Sequence, residues 1–227
     1  MVARETYPCV CPVLTRLERS VWCEQGIIIN HHRYIVSLYA ILLFFLYFPR
    51  YCSLQMSRQA NRLASMVYRV KNWGLPPQFQ QLALTTLFNH QVKFAGTAGI
   101  WIQDLSSTES IVTLANRRRV QNHIGGVHAC GMALVAESAT GMVFGMNVPD
   151  SHIPLIKSMK IDYKRKAVGS LKAVASLSPN QLTMIQSSDR GEVNVSVLVT
   201  DEKEGSSPIE CEMIWAWVSK PNKKNEG

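Results

Sequence analysis

The chain has 227 residues, 47% of them hydrophobic, which is enough for one packed domain with an extension and too apolar for global disorder. A net charge of +8 favours anionic partners (phosphate-bearing ligands, anionic lipid, nucleic acid), but no basic stripe interleaved with aromatics and no RNA-module signature is present, so nucleic acid is set aside. The six cysteines, four of them in the first 52 residues, make neither a secreted disulfide framework nor, with His31 and His32, a credible zinc set; they read as reduced thiols of an intracellular protein with no metal.

The first notable segment is YIVSLYAILLFFLYF, residues 34–48, an uncharged run of 15 residues bounded by Arg33 and by Pro49 and Arg50. A membrane span needs about 20. Three readings are open: a short anchor giving membrane contact, a helix packed on the domain, or an extension (1–55) absent from a working protein that starts at Met56. No acidic residue occurs from Gln25 to Gln103. Residues 56–74 fit an amphipathic helix with Leu63, Met66, Val67 and Val70 on one face, and also resemble an acid-poor mitochondrial leader. GLPPQ (74–78) breaks that helix, and 79–91 reads as a second short one.

Strands follow. Residues 97–107 and 109–119 form a hairpin turning at Ser107–Thr108. NHIGGVHACGMALVAESATG (122–141) opens the one long helix, starting near Gly126 or His128. SMKIDYKRK (158–166) alternates, with Met159, Ile161 and Tyr163 on one face. GSLKAVASL (169–177) is a strand. Ser178, Pro179 and Gln181 then start a brief helix with a capping box. EVNVSVLVTDE (192–202) and IECEMIWAWVSK (209–220) are strands with Val193, Val195, Val197 and Val199, and Cys211, Met213, Trp215 and Trp217, on one face each. The tail 221–227 frays. The expectation is an α+β domain, an antiparallel sheet curled over a single helix.

The chemistry concentrates at the long helix. Its first N–H groups lack intrahelical partners and, with the helix dipole, form an anion site able to polarise a carbonyl. Gly125 and Gly126 let backbone approach a ligand closely. Glu137 lies nine residues after His128, roughly 13 Å of rise, on a stripe with Cys130, Ala133, Leu134, Gly141 and Phe144. A lone carboxylate there must be paired, neutralised or facing a ligand cavity. The functional reading is a base or nucleophile; the structural one is a Glu bonded across a subunit interface or to a backbone amide. His128 and His123 are each a catalyst or a cap, and Asn122 orients a water or carbonyl or else caps a turn. No G-x-S-x-G elbow and no P-loop is present.

Asn122, Gly125, His128 and Glu137, followed by MKIDYKRKAVG, resemble the hotdog-fold acyl-CoA thioesterases of the phenylacetyl-CoA type, whose pattern is N-x-x-G-x-x-H-G-G, a small-residue helix and an Asp. The likeness is closest to a thioesterase-like branch of unknown function, carrying NH-x-G-x-x-H-A, AE-x-A-x-G, a short helix between late strands and a Trp in the last strand. It covers about residues 60–220. The resemblance implies a hotdog fold over 93–220 with extra N-terminal helices (56–92), a homodimer or dimer of dimers, and acyl-CoA bound at the subunit interface, with no cofactor beyond the CoA of the substrate. Glu137 would stand for the Asp as base or nucleophile. The Ala129 N–H would polarise the thioester, Asn122 would place water or carbonyl, and His128 would fix the loop. Lys164, Arg165 and Lys166 would meet CoA phosphates, unless they form a solvated strand end. Glu replaces Asp, and Ala129–Cys130 replace Gly–Gly. The expected activity is thioester hydrolysis in lipid or aryl-acid metabolism, cytoplasmic or mitochondrial. The alternatives are a non-catalytic acyl-CoA or lipid binder and a membrane-tethered structural dimer.

Overall fold

The computed structural model describes residues 61–221. The readings of the extension, of its apolar run 34–48, of a start at Met56 and of the tail beyond Pro221 lie outside the described residues. Within them no helix is long and apolar enough to cross a membrane.

Three helices come first: α1 (Arg62–Asn72), α2 (Pro77–Gln91) and α3 (Lys93–Ala98). Asn61 caps α1 by accepting from the Ala64 N–H, and its amide donates to the Gly145 and Val148 carbonyls, tying α1 to the far end of the long helix. Val67 and Val70 are buried as their spacing requires; Ala64 and Ser65 join them, while Leu63 and Met66 are half-buried. Helix α3 replaces the expected start of a strand at Thr97. Only Gly96 fits there, because a Cβ would lie 2.9 Å from the Asn89 carbonyl oxygen, and Gly99 ends the helix at φ +81.

The strands form two antiparallel sheets. One has the order β1-β2-β4-β6, with β1 Ile100–Leu105, β2 Glu109–Leu114, β4 Leu171–Ser176 and β6 Ser196–Asp201. The other has the order β3-β7-β5, with β3 His152–Tyr163, β7 Ile209–Ser219 and β5 Gly191–Asn194. Helix α4 (Ala129–Gly145) lies against strands of both, and α5 (Pro179–Ser187) has the expected capping box on Ser178 and Gln181. This is the α+β architecture of a sheet curled over one helix.

Three boundaries differ from the sequence reading. The second hairpin strand, expected over 109–119, ends at Leu114, and Arg118–Val120 forms a single 3-10 turn. Val193 to Val199 do point inward, but the segment divides at Val195: β5 pairs with β7 and β6 with β4, so the chain passes from one sheet to the other. Strand β3 starts six residues earlier than its alternation suggests. Pro154 conceals the start, and it is tolerated because β3 is an edge strand paired only with β7. The β1 edge, by contrast, is closed by α2: Thr85 accepts from the Ile102 N–H, and Asn89 donates to the Ile100 carbonyl.

Helix α4 is apolar nearly all round, with eleven buried residues, and its rotation is fixed by β7. Buried Trp215 donates its indole N–H to Thr140 Oγ1 at 2.9 Å, and Phe144 packs on Trp215 and Trp217 at ring-centroid distances of 5.5 and 6.2 Å. Gly141 sits under the Trp215 ring, so close that a Cβ would come within 2.8 Å of it. The partly uncovered residues of α4 (Ala129, Ala133, Glu137, Gly141, Gly145) recur every fourth position and define one stripe.

The loop after β3 is pinned by buried Asp201. Burial opposes ionisation of this carboxyl, but the N–H groups of Gly169, Lys203, Val168 and Glu204 all donate to it and hold it below the usual carboxylate range. Gly169 has no room for a Cβ beside that carboxylate.

Two predictions follow from this packing. Gly141→Ala forces a methyl into Trp215; overpacking of about 1–3 kcal/mol outweighs the roughly 1 kcal/mol gain in helix propensity, so urea unfolding shows a net loss of stability. Asp201→Asn costs about 1.5–3 kcal/mol at neutral pH, the range for hydrogen bonds to a charged group. The sign with pH is set by the lowered folded pKa. The contribution is complete above the unfolded carboxylate value and disappears as pH falls through the folded one. The stability gap between wild type and variant therefore narrows in acid.

Candidate active site

The turn before α4 is a short antiparallel ladder. The Asn122 N–H donates to the Gly126 carbonyl, Gln121 bridges Val127, and the His128 N–H donates to the Val120 carbonyl. The Asn122 side-chain oxygen accepts from the Ile124 and Gly126 N–H groups at 3.1 Å each, so Asn122 caps the turn. Its Nδ2 has no partner among the described residues and stays available to a ligand. Gly125 adopts φ +76, the left-handed conformation that closes the turn, and a Cβ on Gly126 would stand 2.6 Å from the Ala167 carbonyl oxygen.

His128 is the N-cap of α4. Its Nδ1 accepts from the Cys130 N–H at 3.1 Å, and its exposed ring shows the cap role that the sequence left open; His123 is exposed on the turn. The Gly131 and Met132 N–H groups go to the His128 carbonyl. One backbone donor at the helix start has no partner among the described residues, the N–H of Ala129. Tyr163, which the sequence reading treated only as an alternating residue, places its hydroxyl 3.2 Å from the Ala129 carbonyl oxygen. Burial first, and the neighbouring Cys130 and Cys211 thiols second, raise its pKa and keep the phenol neutral. Burial pushes the Cys211 thiol up to about 11, which makes it a packing residue.

The post-β3 loop meets this turn directly, since the Val127 N–H donates to the Ala167 carbonyl at 2.9 Å. The chain that carries Lys164, Arg165 and Lys166 thereby reaches the turn at Ala167. Lys164 is taken up by Glu210 at 2.9 Å, while Arg165 and Lys166 are exposed and have no acidic partner among the described residues. Asn116, unremarked in the sequence, holds the assembly together by donating to the Gly125 and Val168 carbonyls. Only the sequence neighbourhood of the turn could have pointed to it.

Glu137 is half-buried on the uncovered stripe of α4. Burial raises its pKa, and the nearby Ser138 hydroxyl, 3.5 Å away, lowers it only in part. No cation lies within ion-pair distance of it among the described residues. Asn122, Gly125, Gly126, His128 and Ala129 thus sit together at the start of α4, and Ala167, the residue after Lys166, bonds to the same turn. Glu137 does not join them in the same copy, because it lies eight residues past Ala129, about 12 Å along the axis.

Residues 80–218 match the family described as domain of unknown function (DUF4442). Solved structures share the fold at low sequence identity. One is a Pseudomonas aeruginosa protein of unknown function described as a probable thioesterase: 20% identity, TM-score 0.56, covering 64% of this chain and 97% of that one. Another is a thioesterase from Haemophilus influenzae: 11% identity, TM-score 0.50, covering 62% of this chain and 94% of that one. No curated protein sequence matches the chain. With a hotdog fold shared with thioesterases and a family match spanning more than half its length, the chain is a member of the DUF4442 family.

Proposed function

We propose that the chain is an acyl-CoA thioesterase that hydrolyses an acyl or aryl thioester to free acid and CoA in a site built from two copies of the chain. The observation that carries this reading is Glu137: partly buried, its pKa raised by desolvation, without a counter-ion among the described residues, on a largely apolar helix. A raised carboxylate in such a setting suits a general base acting near neutral pH.

The second copy follows from helix geometry. A thioester carbonyl must lie about 3 Å from the oxyanion donor while the base reaches the attacking water beside it. Ala129 N–H and Glu137 are too far apart along one helix for that. Two antiparallel copies of α4 related by a two-fold axis bring Ala129 of one opposite Glu137 of the other. Strand β3 supports such a pairing. Its free edge is twelve residues long, and Met159 and Tyr163, on the face turned toward the helix layer, are 48% and 49% exposed in the single chain.

In the proposed reaction the Ala129 N–H polarises the thioester carbonyl and the Asn122 Nδ2 steadies water or carbonyl. Glu137 takes a proton from water as the oxygen attacks, and the carbonyl carbon–sulfur bond breaks. The proton passes to the departing thiolate, so the products are carboxylic acid and CoA thiol. His128 acts by fixing the helix start. Binding of acyl-CoA without cleavage is the second reading. It is favoured by the donor count, since the Gly126 and Cys130 N–H groups are used by Asn122 and His128 and Ala129 is left as a single oxyanion donor.

A thiol-release assay across short, aromatic and long acyl-CoAs separates the two readings. Release supports hydrolysis, and tight binding without release supports the binder. Glu137→Gln is expected to lower kcat by about 10²–10⁴, the usual range for a general base. The same variant should raise Tm at neutral pH. A carboxyl whose folded pKa is raised favours the fold below its unfolded pKa and loses that contribution as pH climbs through the folded value, so removing the charge relieves the fold. For wild type, kcat should rise with pH along a limb set above the ordinary glutamate range. Ala129→Pro removes the N–H and puts a ring carbon in its place. Proline suits the first helical position, and His128, at φ −63 and ψ 148, already has the conformation required before a proline. The expected loss is about 10²–10³ in kcat, with far-UV circular dichroism unchanged.

A further inference from the structure

We propose that the arginine triplet Arg117–Arg118–Arg119 and the pair Arg165–Lys166 form a two-sided clamp for a nucleotide bearing more than one phosphate, the adenosine 3′,5′-bisphosphate end of the thiol carrier. The proposal deepens the thioester reading above and rests on it for the identity of the carrier.

The juxtaposition comes from the ladder before α4. Residues 126–128 run down its middle. On one side Val120 accepts from the His128 N–H at 2.8 Å, so the triplet, which ends at Arg119, enters the ladder one residue before the helix start is reached. On the other side Ala167 accepts from the Val127 N–H at 2.9 Å, directly after Lys166. Cations thus flank the Asn122–Gly126 turn from both sides, next to the free Ala129 N–H.

All five side chains are exposed, and none has an acidic partner among the described residues. The adjacent Lys164 is taken up by Glu210, whereas these five stand in two consecutive runs. The Arg119 guanidinium is packed against Gly99, where a Cβ would fall 2.5 Å from it, so this arm of the clamp is anchored on the C-terminal cap of α3. Consecutive unpaired cations repel one another and remain together best when a multiply charged anion spans them. Arginine's planar fork also matches phosphate oxygens two at a time. A single carboxylate cannot engage both sides of the turn.

The test uses adenosine 3′,5′-bisphosphate and the full chain in isothermal titration calorimetry. Wild type should bind, R117E/R118E should bind at least tenfold more weakly, and the neutral pair R117Q/R118Q should fall between them. Arg190→Glu, the same charge change beside Gly191 at the opposite end of β7, should leave binding as in wild type. In thiol release, R117E/R118E should lower the kcat/KM ratio of an acyl-CoA to the matching acyl-pantetheine at least tenfold. Equal binding by wild type and R117E/R118E, equal binding of unphosphorylated adenosine, or binding of an acidic carrier protein but not the nucleotide overturns the clamp. The probe carries no thioester, so the two readings fail separately. Nucleotide binding without turnover removes the hydrolase and leaves the clamp, whereas turnover with nucleotide binding indifferent to the arginines does the reverse.

Discussion

An ionisable carboxyl without a counter-ion on the most buried helix of a domain is unfavourable for folding, and the rest of this structure is arranged around that constraint. Glu137 cannot retreat into the core, because α4 is held in rotation by the Trp215–Thr140 bond and by the contact of Gly141 with the Trp215 ring. Among the described residues its side chain meets no cation, and its one side-chain hydrogen bond comes from the adjacent Ser138 hydroxyl. Desolvation then raises its pKa, so the position that weakens the fold is also the position that makes the carboxyl a better base.

The start of the same helix is built with the opposite economy. Nearly every backbone donor in the 122–132 segment is used: Asn122 takes those of Ile124 and Gly126, Ala167 that of Val127, and the His128 ring and carbonyl those of Cys130, Gly131 and Met132. Two N–H groups of the segment have no partner among the described residues, that of His123 on the turn and that of Ala129, and only the latter lies at the electropositive end of a 17-residue helix. Asp201 contributes from a distance by fixing Val168 and Gly169, which fixes Ala167 against the turn. A free donor and a half-desolvated acid are therefore set by separate pieces of packing.

Much of this was legible in the sequence, and the parts that were not have physical reasons. The long helix, the Ser178 capping box and the inward faces of β7 follow from caps and from periods of 3.6 and 2. Helix α3 escaped because KFAGTA is too short to show a period and is defined by two glycine contacts that only the folded chain creates. The break at Val195 is invisible to alternation, since inward residues stay inward when a strand changes sheets. At the site, motif spacing singled out Asn122, His128 and Glu137 as candidates. The ladder that ties up Asn122 and the separation of Ala129 from Glu137 exist only in the folded chain.

That distance makes the two-copy site the central claim. Glu137→Gln and Ala129→Pro would each break a different half of it, so the direct measurement is thiol release from a mixture of the two inactive chains refolded together at equal amounts. Random pairing in a two-fold dimer gives about one half mixed dimers, each with one intact site of two, so about a quarter of wild-type activity returns. Activity no greater than that of either variant alone would contradict the account.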